Sequence, residues 1–276
     1  MFNCNLALIE ETAAFIKTKT DIRPLVGVVL GSGLGGVVSR IEIQHTIPYS
    51  DIPNFPQSTV MGHGGNLLFG HWNGVPVCVM QGRFHYYEGY PIQQVTFPIR
   101  VMKLLGVETL MVSNAAGGLN PAQHIGELMI INDHINMQPE HPLRGRNEER
   151  MGPRFPDMSE VYDAALIALC KEKAVAMGLH VSEGVYVGVQ GPTFESPAEY
   201  RMFRLLGGDA VGMSTVPEII VARHMQMRCF AMSVITDLGV DGKIVEISHD
   251  DVVKAANEAG EKMTELFGKM LEEIGK

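Results

Sequence analysis

The chain has few cysteines, and their arrangement excludes most cysteine chemistry. Cys4, Cys78, Cys170 and Cys229 are widely spaced, form no C-x-x-C pair and sit mostly within apolar runs such as VPVCVMQ and RCFAMSV. They read as buried free thiols in a reducing, cytoplasmic setting. A basic excess is also lacking: 22 Lys and Arg stand against 31 Asp and Glu, a net charge of −9. Binding a phosphate backbone needs a concentrated basic face, so no nucleic-acid partner is expected. No run approaches the roughly 18 apolar residues of a membrane span, so no membrane association is expected either. The opening MFNCNLALIEETAAFIKTKT lacks a basic leader and carries Glu10 and Glu11 within its apolar pattern, unlike a signal peptide. With no H-E-x-x-H and no Cys/His cluster at ligand spacing, no metal site is expected. A G-x-S-x-G elbow is missing too, which argues against a hydrolase triad. No internal repeat or low-complexity linker divides residues 1–276, so one domain is expected.

The apolar residues that are present follow two periods. Leu6, Ile9, Ala13 and Ile16 recur at near-helical spacing after Asn3 and Asn5, which predicts an N-terminal amphipathic helix. Strand-like runs fall at 25–30, 66–72, 75–81, 107–113, 127–131, 184–189 and 228–235, and helical patterns at 92–105, 160–177, 197–206, 217–227 and 249–273. The Asn73-Gly74 step predicts a hairpin between the second and third strands. This alternation predicts an α/β fold: an αβα sandwich around a mixed, largely parallel central sheet. Residues 136–158 break the pattern. Their stretch HPLRGRNEERMGPRFPDM is charged, holds three prolines and reads as a long loop of the kind found at sites and interfaces.

Small and polar residues gather where the strands end. VVLGSGLGG, residues 28–36, has a G-x-G-x-x-G frame after an apolar strand. A nicotinamide-binding unit would continue with a helix and a second strand, but Pro48, Pro53 and Pro56 interrupt the next stretch of chain. A tight turn and a single-phosphate cradle remain open beside it. QGRFHYYEGY places Arg83, His85 and Tyr87 on one face if extended, suiting a compact oxyanion; the plainer alternative pairs Arg83 with Glu88. VETLMVSNAAGGLN ends in small residues at which a flat ligand could meet backbone N–H groups, or in a simple turn. In GVYVGVQGPTFESPAEY, Ser196, Pro197 and Glu199 spell a helix start, fixing Phe194 and Glu195 against a strand end. DAVGMSTVPEIIVARH repeats the device with Thr215 and Glu218, leaving Ser214 at a helix N-terminus, where anions are favoured. Asp237 follows the last strand, and His249 follows Ser248 at a helix start.

In this order the segments LGSGLG, GRFHYYEGY, NAAGG, GPTFESPAEY and DAVGMSTVPE resemble the trimeric purine nucleoside phosphorylase family, from Val26 to the C-terminal helix. The resemblance favours the single-phosphate cradle and implies a phosphorylase/hydrolase-like fold. It implies phosphate binding by Ser32, His63, Arg83, His85, Ala115 and Ser214, and ribose contacts from Tyr87, Met213 and His249. Phe155, matching a residue the family inserts into a neighbouring subunit, would complete the ribose pocket in a homotrimer. Base contacts would come from Ala115, Ala116, Gly117, Phe194, Glu195, Thr236 and Asp237. Catalytic work would fall to His85, Glu195, Asp237 and His249. Purine nucleoside and inorganic phosphate would be the substrates, with no cofactor.

The chemistry fits these residue types. Cleaving a purine N-glycosidic bond leaves positive charge on the sugar and negative charge on the base, so the site needs an aimed phosphate and donors to the departing base. At Asp237 the chain departs from the commoner family residue, Asn. An ionised Asp only accepts, which suits the 6-amino group of adenosine or methylthioadenosine; a protonated Asp can donate to N7 of a 6-oxopurine. Inosine and guanosine are the expected substrates, because Glu195 suits the N1–H of a 6-oxopurine. A nucleoside hydrolase would leave Ser32, Arg83 and Ser214 without a use, and a nicotinamide-dependent oxidoreductase rests on the glycine frame alone. A non-catalytic purine-binding protein is the remaining alternative.

Overall fold

The computed structural model describes residues 5–59 and 64–276. The first strand, β1 (Val26–Val29), is apolar and fully buried, and it lies parallel between two neighbours. One is β4 (Val75–Gln81), which pairs antiparallel with β3 (Asn66–Trp72) through the Asn73-Gly74 turn, where both residues have positive φ. The other is β5 (Thr109–Gly118). Beyond β3 lies β2 (Glu42–Pro48), an edge strand absent from the sequence-based expectation. Its exposed, weakly patterned residues carry little periodic signal, and Pro48 is tolerated because the strand lies at an edge and ends there.

On the other side of β5 come β8 (Ala210–Gly212), β7 (Val181–Gly188), β6 (Leu128–Asn136) and β9 (Arg228–Leu238). β9 also pairs in parallel with β5, so these five strands close on themselves while the rest of the sheet stays open. Three-residue β8 is too short to show a period, and sequence reading missed it. β5 runs further than predicted: the small residues Asn114 to Gly118 continue the strand against β9 instead of turning.

Two layers of helices cover the sheet because successive strand residues face opposite sides. On β9, Cys229, Ala231 and Ile235 belong to the core shared with α1 (Leu6–Lys17), α2 (Ile92–Val95), α3 (Phe97–Leu105) and α6 (Val216–His224). Phe230, Met232 and Val234 belong to the opposite core, with α4 (Ala164–Ala176) and α7 (His249–Ile274). The αβα arrangement is therefore as expected. The helix predicted over 92–105 is broken at Thr96, because Pro98 opens a new helix with no N–H to give. α5 (Pro197–Leu205) starts at the capping box read from sequence, with Ser196 N–H donating to the Glu199 carboxylate at 2.8 Å. Residues 137–163 contain no helix or strand, so the expected long loop extends to the Asp163 cap of α4.

Candidate active site

The ends of β4, β5, β8 and β9 converge on one cleft of about 650 Å³, counting its open mouth. One end is built around Arg83, which is 1% exposed. Its Nε donates to Glu218 Oε1 at 3.2 Å, and Nη2 stands in an ion pair 3.2 Å from Oε2. Its Nη1 donates to the Ser113 carbonyl at 2.7 Å and to Ser214 Oγ at 3.1 Å. Arg83 thus pairs with Glu218 and not with Glu88, the alternative open in the sequence. Glu218 also accepts from the Thr215 N–H at 2.9 Å, so one carboxylate both starts α6 and anchors the guanidinium.

Thr215 has φ 69 and ψ −58, and Val216 N–H donates back to the Ser214 carbonyl at 2.7 Å. This γ-turn with a positive central φ is uncommon and strained for a β-branched residue. Asn114 Nδ2, donating to Thr215 Oγ1 at 2.9 Å, helps hold the turn and keeps Ser214 at the cleft.

His85 faces the same end. Its ring stacks on Tyr87 at 4.7 Å between centroids, and Nδ1 lies 3.0 Å from Glu88 Oε1. Tyr86–Glu88 forms a 3-10 turn, so His85 and Tyr87 meet by stacking and not by the alternation of an extended strand. Burial pushes the His85 pKa down despite Glu88, favouring a neutral ring. Burial also raises the Glu88 carboxyl, but hydrogen bonds from His85 and Thr59 outweigh it and bring Glu88 down to about 2.

The glycine frame has a local explanation. A side chain at Gly31 would put Cβ 2.8 Å from Asn114 Cα and 2.9 Å from the Ser113 carbonyl, so β1 and β5 meet there only without one. Gly33 has φ 74 and abuts α7 at Ala256. A Cβ at Gly36 would meet nothing within 4 Å, and a short 3-10 helix, Gly35–Arg40, takes the place of the α-helix that a dinucleotide site requires.

The opposite end is acidic. Glu195, Asp237 and Thr236 line it with Phe194, which is 40% exposed. Burial raises Glu195 to about 7, helped by the Asp237 charge. Burial raises Asp237 as well, against hydrogen bonds from Thr236 and Tyr200; Thr236 Oγ1 lies 2.9 Å from Asp237 Oδ1. Gly117 forms the floor, where any Cβ would stand 3.0 Å from Asp237 Oδ2.

Ser32, Arg83, His85, Tyr87, Ala115, Ala116, Gly117, Phe194, Glu195, Met213, Ser214, Thr236, Asp237 and His249 all line this cleft. His63 lies outside the described residues. Phe155 is 87% exposed on the long loop, with the Arg154 guanidinium 5.5 Å from its ring, and takes no part in its own chain's cleft. Sequence reading missed Asn114 as a support and Tyr200 behind the carboxyls, and it read Glu218 only as a cap. Among the described residues no group of three or more His, Cys, Asp or Glu is placed to hold a metal, and no helix is long and apolar enough to cross a membrane.

Comparison with known proteins agrees with this geometry. The Phosphorylase superfamily profile matches residues 25–272. Purine nucleoside phosphorylase 1 of Geobacillus stearothermophilus is 54% identical over 250 residues, covering 91% of each chain. The chain belongs to the purine nucleoside phosphorylases. Within that family, the bovine (Bos taurus) purine nucleoside phosphorylase is 49% identical, covering 96% of this chain and 94% of its own. The crystal structure of a schistosoma purine nucleoside phosphorylase in complex with hypoxanthine superposes with a TM-score of 0.95 at 43% identity, over 100% of both chains. The Schistosoma mansoni enzyme in complex with adenosine gives 0.93 at 43% identity, over 99% of both.

Proposed function

We propose that the protein cleaves purine ribo- and 2′-deoxyribonucleosides with inorganic phosphate, releasing the base and (deoxy)ribose 1-phosphate, and needs no resident cofactor. The observation that carries this reading is one cleft with an oxyanion cradle at one end and buried carboxyls at the other. Phosphate sits against Ser32, Arg83, His85, Ser214 and the Ala115 backbone. Tyr87, Met213 and His249 surround the sugar. The base lies between Phe194 and the small strand Ala115 to Gly117, its edge toward Glu195 and Asp237.

A phosphate oxygen attacks C1′ as the C1′–N9 bond breaks, and the bonding pair leaves with the base. Arg83 is already paired with Glu218, so the cradle contributes directed donors more than net charge. Its donors are in place before the reaction, which is the condition under which electrostatic help is largest. Glu195 accepts the N1–H of a 6-oxopurine, and protonated Asp237 donates to N7 as negative charge builds there. Inosine and guanosine are accordingly preferred over adenosine and methylthioadenosine.

Turnover of these four nucleosides with and without phosphate tests the reading. The expected result is cleavage of inosine and guanosine only when phosphate is present. Equal cleavage in phosphate-free buffer identifies a hydrolase, and binding without cleavage a purine-binding protein; either overturns the proposal.

A further inference from the structure

Tyr200 is 4% exposed, and its ring lies flush on Gly239, where a Cβ would stand 2.2 Å from Tyr200 Cδ1. That contact aims the phenol at the acidic end of the cleft, beside the carboxyls of Glu195 and Asp237, with which it interacts electrostatically. A phenol has one proton to give. With two carboxyl partners it donates fully to only one, and the other is best satisfied by carrying a proton itself. The charged and polar groups facing the pair agree. Glu199 adds negative charge beside Glu195, Thr236 donates to Asp237, and the only Lys or Arg lining the cleft among the described residues is Arg83, at the phosphate end.

We propose that Glu195 and Asp237 share one proton, that Tyr200 positions the pair, and that the proton's place follows the base, so the site also binds 6-aminopurines. The proposal rests on the function proposed above. Both forms carry one negative charge: Glu195–COOH with Asp237–COO⁻, or Glu195–COO⁻ with Asp237–COOH. In the empty cleft the proton favours Glu195, because Asp237 has the Thr236 hydroxyl as a donor of its own. A 6-oxopurine presents N1–H, which needs an ionised Glu195, so the proton moves to Asp237 and serves N7. Adenine presents a bare N1 and a 6-amino group, so the proton stays on Glu195 and ionised Asp237 accepts the amino N–H. Asp237 then has nothing to donate to N7, and adenosine turns over slowly although adenine binds.

Calorimetric binding of hypoxanthine and of adenine, in saturating phosphate from pH 6 to 8.5, tests this without turnover. Both bases are expected to bind. Above the pair's pKa each further pH unit lowers the adenine affinity by up to about tenfold, as the shared proton is lost. Asp237→Asn should weaken adenine at least about tenfold at pH 7, because Glu195 loses the neighbouring charge that keeps it protonated. Hypoxanthine should then retain only the pH dependence of the base itself. Tyr200→Phe keeps the ring on Gly239 and removes a donor that stabilises the ionised carboxyls, so the alkaline fall in adenine affinity should move up by about one pH unit with phosphate affinity unchanged. A merely structural role for Tyr200 would leave that midpoint where it was and overturn its part. If hypoxanthine binds and adenine does not at any pH, the shared proton is wrong while the function stands. If neither base binds, the function itself fails.

Discussion

At the scale of single residues, the site sets stability against function. Glu195 is a buried carboxyl raised to about 7, so the folded chain holds a proton that the unfolded chain has already released. Stability therefore falls as pH rises from the ordinary carboxylate range to about 7, and the full cost remains above it. Glu195→Gln should melt higher than the parent at pH 8, show little difference at pH 5, and lose 6-oxopurine turnover. A melting gain that is the same at both pH values would mean that ionisation is not its source. Ser214→Ala tests the cradle without disturbing the Arg83–Glu218 pair. Loss of one hydrogen bond to an anion costs about 1.5–3 kcal/mol, so phosphate affinity should fall by about 10- to 100-fold, with a much smaller change for nucleoside. Most of these residues were legible because they stand next to strand ends, where ligands collect in open α/β sheets. Tyr200 was not, since an aromatic on an amphipathic helix ordinarily marks the core, and only the fold brings it behind two carboxyls from separate strand ends.

At the scale of elements, the cradle is tied to the fold through the start of α6. Thr215 and Glu218 were readable as a capping box, yet the sequence did not say that the cap carboxylate would also hold a guanidinium 135 positions away. That partnership depends on the segment after β4 meeting the first turn of α6, which no local pattern encodes. The pair is buried on both sides, with side chains 1% and 4% exposed. Removing one charge from such a pair costs about 3–5 kcal/mol, because the other is left uncompensated. Glu218→Gln should lower the free energy of unfolding by about that much in urea titration, and excess phosphate should restore part of it if the folded cleft binds the anion. A variant as stable as the parent would show that the pair is replaceable and the cap alone matters. The strands β2 and β8 escaped sequence reading for a related reason. Each is defined by the partner it pairs with, one exposed at an edge and one only three residues long.

At the scale of the whole molecule, Phe155 is the residue that a single chain leaves unexplained. The loop of residues 137–163 is pinned at intervals, with Arg154 donating to the Leu143 carbonyl at 3.1 Å and Asn147 to the Gly152 carbonyl at 3.0 Å, yet it holds an aromatic ring 87% exposed. Presenting such a ring to water costs free energy that burial against a partner would return, about 1.5–3 kcal/mol for a phenylalanine. The cleft, for its part, has an open mouth beside exposed Phe194 and His249. A neighbouring copy's Phe155 would close that mouth over the sugar, and the family resemblance implies a homotrimer. Light scattering should therefore give three times the 30.2 kDa chain mass. Phe155→Ala should weaken nucleoside binding by about tenfold or more while changing phosphate affinity little, if a neighbour's ring covers the sugar and not the cradle. A mixture of Phe155→Ala chains with chains inactivated at Glu195 separates this from a role within one chain. If the ring acts across the interface, some sites in mixed trimers combine an intact Glu195 with a neighbour's intact Phe155, and activity at low nucleoside concentration rises above that of either variant alone. If mixing gives only the average of the two, Phe155 serves its own chain or none, and the interface is wrong.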